Sequence, residues 1–370
     1  MMNMKLSPKR LLCIALSLLC MNGVVAQEVE WSVDANVVLN NREGNLNESP
    51  NQTFIFTRIT PQIGVSLDSA RHRVMGGVTW FQPMNDNLGG YKVLPALYYQ
   101  YKNDRNGLMF KFGMIPNELN NSIPTYLRSD SINYVQPNIR GAVVSIDKRH
   151  FWFKSWLDWR QMQTNNRREA FDVTGDVGWR TLKNDNVFKA SGVVSYNHLA
   201  TRKIKDPEEG VVDNFILCPQ LAYEHLWTNG RFGLGAGMLL TADRDRVADN
   251  KWHAQAGFIG KVSGNWKWLS LIENIYAGKR QMPFYEKYGS LVYRGDAFYH
   301  NKFYSRTDLV ATVFQRDFVN LEARLTLHAT SEGTAFWQQV AVRFYLDRLV
   351  WKRHRHKDSG VATGLLQSQF

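Results

Sequence analysis

Between Val319 and Ala329 the chain alternates without a fault. Val319, Leu321, Ala323, Leu325, Leu327 and Ala329 are apolar, and the interleaved Asn320, Glu322, Arg324, Thr326 and His328 are polar. A side-chain period of two means a β-strand with one oily and one wet face, because successive side chains on a strand point to opposite sides. After a break at 330–334, a second run sets Phe336, Val340, Val342, Phe344 and Leu346 against Trp337, Gln339, Arg343 and Tyr345. Strands of soluble proteins usually stop at about five or six residues, whereas about ten, tilted by about 45°, cross a bilayer core. A hairpin this long is expected to span a membrane.

The same grammar recurs from residue 27 onward and gives sixteen expected strands. Tight, polar connections at 68–70, 103–106, 147–150, 183–186, 228–231, 263–265 and 315–317 alternate with longer ones, and Asn229-Gly230 is the strongest hairpin signal among them. Such alternation is the habit of outer-membrane barrels, where short turns lie on one side and long loops on the other. A sandwich or a solenoid offers no reason for it. The expected fold is therefore all-β: a sixteen-stranded antiparallel transmembrane barrel over 27–347 with a long third external loop. Lipid cannot hydrogen-bond backbone groups, so a sheet placed there must close on itself. Pro61, Pro95 and Pro219 fall inside expected strands, and between Trp266 and Tyr276 neither face is cleanly apolar.

Lys5, Lys9 and Arg10 precede an apolar run from Leu11 to Leu19, and the segment ends at Val24-Val25-Ala26, the layout of a cleaved signal peptide over 1–26. Its removal would leave Cys218 alone, with no partner for an internal disulfide. The formal charge of +12 falls to +9 without the three leader cations, and part of the excess sits in a basic tail over 348–370 around Trp351. That tail reads as a solvated or headgroup-contacting end, and the charge elsewhere is dispersed among both signs, which argues against nucleic acid as a partner. No Gly-x-Ser-x-Gly, His-Glu-x-x-His or Cys-x-x-Cys signature occurs, so the expectation is a protein that is not an enzyme and needs no metal or cofactor.

The 25-residue stretch 116–140 of Asn, Ser, Pro and isolated aromatics is too long for an idle connection. A long third external loop after strand five, within sixteen strands, resembles the bacterial general and phosphate-selective porins, particularly those of Bacteroidetes-like bacteria. The likeness covers roughly residues 30–346. Lys111-Phe-Gly-Met-Ile-Pro116 is similar to the strand-to-loop passage of such porins. Met114 stands where they commonly carry a basic residue, so phosphate specificity is not carried over.

The resemblance implies that the third loop folds into the lumen, which would place Glu118, Tyr126, Arg128, Asp130 and Arg140 at a pore constriction. Arg58, Lys111, Glu322, Arg324 and Arg343 lie on polar strand faces and are expected to face the lumen, as are Asp34, Asp172 and Asp176. The expected function is passive diffusion of small hydrophilic solutes or ions through the bacterial outer membrane, with a mild anion preference. Membrane lipid is the expected partner, and the resemblance adds a homotrimer. Three alternatives stay open: a barrel plugged by a connection such as 278–302 that serves in surface binding or assembly, a secreted carbohydrate-binding β-protein, and an outer-membrane hydrolase.

Overall fold

A computed structural model describes residues 28–85, 89–116, 123–204, 206–348 and 350. The expected leader, most of the tail and Glu118 lie outside that range. Sixteen antiparallel strands close into one barrel: β1 (Glu28–Gly44), β2 (Gln52–Leu67), β3 (His72–Pro83), β4 (Lys92–Asn103), β5 (Leu108–Ile115), β6 (Ile139–Asp147), β7 (Phe151–Gln161), β8 (Ala170–Lys183), β9 (Asn186–Leu199), β10 (Val212–Trp227), β11 (Gly230–Asp245), β12 (His253–Trp266), β13 (Leu269–Gly278), β14 (Phe303–Arg316), β15 (Val319–Thr330) and β16 (Thr334–Asp347). Each strand pairs with its sequence neighbours, and β1 pairs β16 from Ser32 opposite Asp347 to Gly44 opposite Ala335. No edge is left to pair with another chain.

Burial runs opposite to that of a soluble protein. On β15 Leu325 and Leu327 are each 43% exposed, whereas Thr326 is 2% and His328 0% exposed. On β1 the outward Val29 and Leu39 contrast with the inward, buried Asp34, Asn40 and Arg42. Apolar outside and polar inside is the arrangement hydrocarbon requires of a barrel wall. Exposed Trp179, Trp227, Trp266, Trp268, Phe314 and Phe344 cluster at the turn end, and Trp80, Trp159, Trp252 and Phe303 at the loop end. Rings at both rims are suited to the two headgroup layers.

The ladder accommodates two of the prolines by interruption. Pairing of β2 with β3 passes from Ile59–Trp80 to Gln62–Gly77, skipping Pro61, and that of β10 with β11 passes from Leu217–Leu240 to Gln220–Gly237, skipping Pro219. One expected turn is displaced. The 263–265 stretch continues β12, and the chain reverses at Lys267-Trp268, where Lys267 takes φ +52°. Pairing of Gly230 with Trp266 holds β12 straight, which carries Trp266 to the rim.

Candidate functional site: the lumen and the two segments folded into it

Among the described residues, two long connections reach inward from the loop end. In the third, 116–138, a turn at Pro124 (Leu127 N donates to Pro124 O, 2.9 Å) precedes a short helix, α1 (Asp130–Val135). Ser129 caps it, its Oγ accepting from Ile132 N at 3.4 Å, and Asp130 sits in the first turn where a carboxylate suits the exposed N–H groups. The helix is too short to persist alone, so the wall must hold it. Arg42 Nη2 donates to Ser131 Oγ (3.1 Å), Arg58 Nη1 to Asn133 O (3.1 Å), and Arg306 Nη2 pairs with Asp130 (2.9 Å). Tyr134 packs on Phe54 and Phe56, with ring centres 5.9 and 5.2 Å away.

The seventh connection, 279–302, is more deeply seated. Val292 and Phe298 are 0% exposed, and Met282, Tyr288, Tyr293 and Tyr299 are also buried. They share an apolar core with Ile216, Cys218, Leu239 and Tyr276 on the inner wall. Phe298 stacks on His328 at 4.3 Å and on Tyr304 at 5.1 Å. Thr241 Oγ1 donates to Gln281 Oε1 at 2.7 Å.

The two segments also grip each other. Ser129 N donates to Arg294 O and Asp296 N to Thr125 O, both at 2.8 Å. Gly295 is needed there, since a Cβ on it would stand 2.2 Å from the carbonyl oxygen of Tyr126.

Three of the five residues expected at a constriction come together in this assembly. Tyr126 accepts from Gln220 Nε2 at 2.8 Å and meets Tyr299 edge-on. Arg128, 3% exposed, donates Nε to Asn133 Oδ1 (2.7 Å) and Nη2 to Gln136 O, and stands 3.8 Å from Asp158. Asp130 holds Arg306. Arg140 does not join them: it is exposed on β6 with the same parity as Ala142, which pairs with the outward Phe112, and its Nη1 donates to Arg160 O. Its position one residue past the inward Ile139 turns it to the outer rim.

Of the residues expected in the lumen, Arg58 is buried under α1, and Lys111 shares the inward parity of Ile115. Arg343 makes a two-pronged pair with Asp34 (3.0 and 3.1 Å), Arg324 stands 3.8 Å from Asp308, and Glu322 accepts from Asn320 at 2.9 Å. Asp172 is 3.0 Å from Arg160, and Asp176 accepts from Trp152 Nε1 at 3.2 Å.

Sequence reasoning assigned no role to Arg42, Arg160, Arg294 or Asp296. Arg42 lies between the rings of Phe54 and Trp337, at 4.7 and 3.8 Å. Burial, with Arg128 and Arg160 as like charges, pulls the Arg294 guanidinium down to about 9. Burial likewise pushes the Asp296 carboxyl up to about 7, with Arg306 and Arg42 opposing the shift and Asp130 adding to it. The available signal was the aromatic content of 279–302, excessive for a solvated loop.

The outer face carries polar groups of its own. At the loop-end rim Asp213 accepts from Tyr196 Oη (2.7 Å), shares a bond with His198 Nδ1 (2.8 Å) and pairs with Arg246 (3.0 Å). At mid-height Glu273 accepts from Ser305 Oγ (2.6 Å) and from Thr307 Oγ1 (2.5 Å) on the same outward parity as Leu271, Ile275 and Leu309. Among the described residues no group of three His, Cys, Asp or Glu is placed to hold a metal ion.

The barrel is similar to solved outer-membrane channels. The crystal structure of Pseudomonas aeruginosa OccK9 (OpdG) matches with a TM-score of 0.51 and 9% identity, over 86% of this chain and 98% of that one. Pseudomonas aeruginosa OprD matches with a TM-score of 0.50 and 9% identity, over 88% and 100%. At that identity the likeness is one of fold, and it agrees with the porin-like reading of the sequence. No curated protein sequence matches the chain. The family model described as lipid A 3'-O-deacylase-type matches residues 22–349, the whole of the barrel, and the chain belongs to that family.

Proposed function

We propose that the chain is a bacterial outer-membrane channel through which small hydrophilic solutes or ions diffuse past the third and seventh connections. One observation carries this reading: below the inward segments, the turn-end half of an otherwise oil-coated barrel is lined by charged side chains. Lys111, Lys154, Lys189, Lys261, Arg324 and Arg343 line it against Asp34, Asp176, Glu224, Asp308 and Glu322, which supports a mild preference for anions. Fixed charges at a narrow passage stabilise or repel a hydrated ion close by. Liposomes carrying the protein should swell in arabinose, and a salt gradient should give a reversal potential shifted toward the anion. Absence of swelling would favour a barrel closed by 279–302.

A second reading, a hydrolase acting on membrane lipid, is favoured by the family and by the rim pair His198–Asp213, in which the carboxylate could orient an imidazole toward a headgroup. Incubation with lipid A followed by mass spectrometry separates the readings. Loss of an acyl chain that disappears in His198→Ala would establish the hydrolase.

A further inference from the structure

The grip between the two inward segments encloses a carboxyl that, among the described residues, no cation touches. Asp296 is 6% exposed; its N–H holds Thr125 O, the Phe298 N–H donates to its carboxyl, and Oδ2 is buried with no hydrogen-bond partner among those residues. Two guanidiniums face it, and both are engaged elsewhere. Arg306 from β14 donates Nη2 to Asp130 of α1 at 2.9 Å, and Nε and Nη2 to Asp308 at 2.8 and 3.1 Å. Arg42 from β1 donates to Ser131 Oγ and lies between the rings of Phe54 and Trp337. The other groups facing Asp296 are Asp130, a like charge, Tyr304 of β14, and Tyr285 and Tyr299 of its own segment. A buried carboxylate without a contacting cation is costly, so a carboxyl placed in this way keeps its proton while the segments stay packed.

We infer that the grip between the third and seventh connections is a proton-linked latch, shut while Asp296 is protonated and released when it ionises. Ionisation leaves two routes to relief. Either Arg306 turns from Asp130 to Asp296, which unties α1 from the wall, or Asp296 reaches water, which breaks the bonds from Asp296 N to Thr125 O and from Ser129 N to Arg294 O. Both loosen the same contact. With burial pushing this carboxyl up to about 7, the released form gives up its proton first. The shut form therefore loses ground as pH rises from about 4 to about 7, and little more above that.

The test is amide hydrogen exchange of the detergent-solubilised full chain, read by mass spectrometry at pH 5 and pH 8 and corrected for the intrinsic pH dependence of exchange. Protection in peptides covering 123–130 and 291–298 should fall by about tenfold or more from pH 5 to pH 8, with the strands unchanged. Asp296→Asn, which keeps the shape and cannot ionise, should hold the pH 5 level of protection at both values, and it sets this carboxyl apart from His300 on the same segment. Asp130→Asn, which frees Arg306 for Asp296, should shrink the fall. Equal protection at both pH values in the native chain, or an undiminished fall in either variant, would overturn the latch. If neither variant folds, a pH series on the native chain decides alone: levelling above about pH 7 supports the latch, and a fall that begins only above it overturns it. The latch does not rest on the channel reading, because a fall in protection in a protein that passes no ions would leave the latch standing and remove the channel.

Discussion

At the scale of single residues the lumen holds buried charges whose state is set first by burial and then by their charged neighbours. Burial pushes the Asp296 carboxyl up to about 7, well above the usual carboxylate range. A raised carboxyl gives stability that is full below about pH 4 and is lost as pH rises through about 7, because the unfolded chain releases its proton first. Asp296→Asn should flatten that slope and stabilise the protein at pH 8 by about 1–3 kcal/mol, read by urea unfolding at pH 5 and pH 8. An unchanged slope would mean that the carboxyl is ionised when folded. Arg128 and Arg140 separate cleanly at this scale. Arg128→Glu should shift ion selectivity and loosen α1, since it breaks the bonds to Asn133 and Gln136 and sets a carboxylate beside Asp158. Arg140→Glu, on the outer rim, should leave the reversal potential unchanged.

At the scale of elements, the strands were legible and the inward segments only partly so. Most strands came from alternation, a local property that the sheet keeps, as Leu325, Thr326, Leu327 and His328 illustrate, whereas β13 followed from the turns around it, since neither face between Trp266 and Tyr276 is cleanly apolar. The displaced 263–265 turn shows the limit: Ser-Gly-Asn favours a turn locally, but pairing with β11 overrides it as far as Trp266. Loop placement depends on contacts across the lumen that no periodicity records. Gln281 meets Thr241, Phe298 meets His328, and Gly295 passes the carbonyl of Tyr126. Only the aromatic excess of 279–302 betrayed a buried destination. Phe298→Ala, which empties a site between His328, Tyr304 and Trp337, should destabilise the seventh segment by about 3–5 kcal/mol. Limited proteolysis in membranes reads this as faster cleavage within 279–302 and an unchanged barrel.

At the scale of the molecule, an oily exterior, a closed hydrogen-bond ring and a charged interior make one consistent object, and such an exterior is suited to lipid as its solvent. Leu327→Lys would place an ammonium on the outward wall level with Thr307 and Glu273, and should cost the barrel about 2–4 kcal/mol. The interior, as we propose, is a conduit narrowed by the third and seventh connections. Single-channel recording of the native chain beside a variant in which a short Gly-Ser linker replaces 280–301 tests it most directly. Small steps are expected for the native protein and several-fold larger ones for the variant; a folded variant that gives no steps would rule the conduit out.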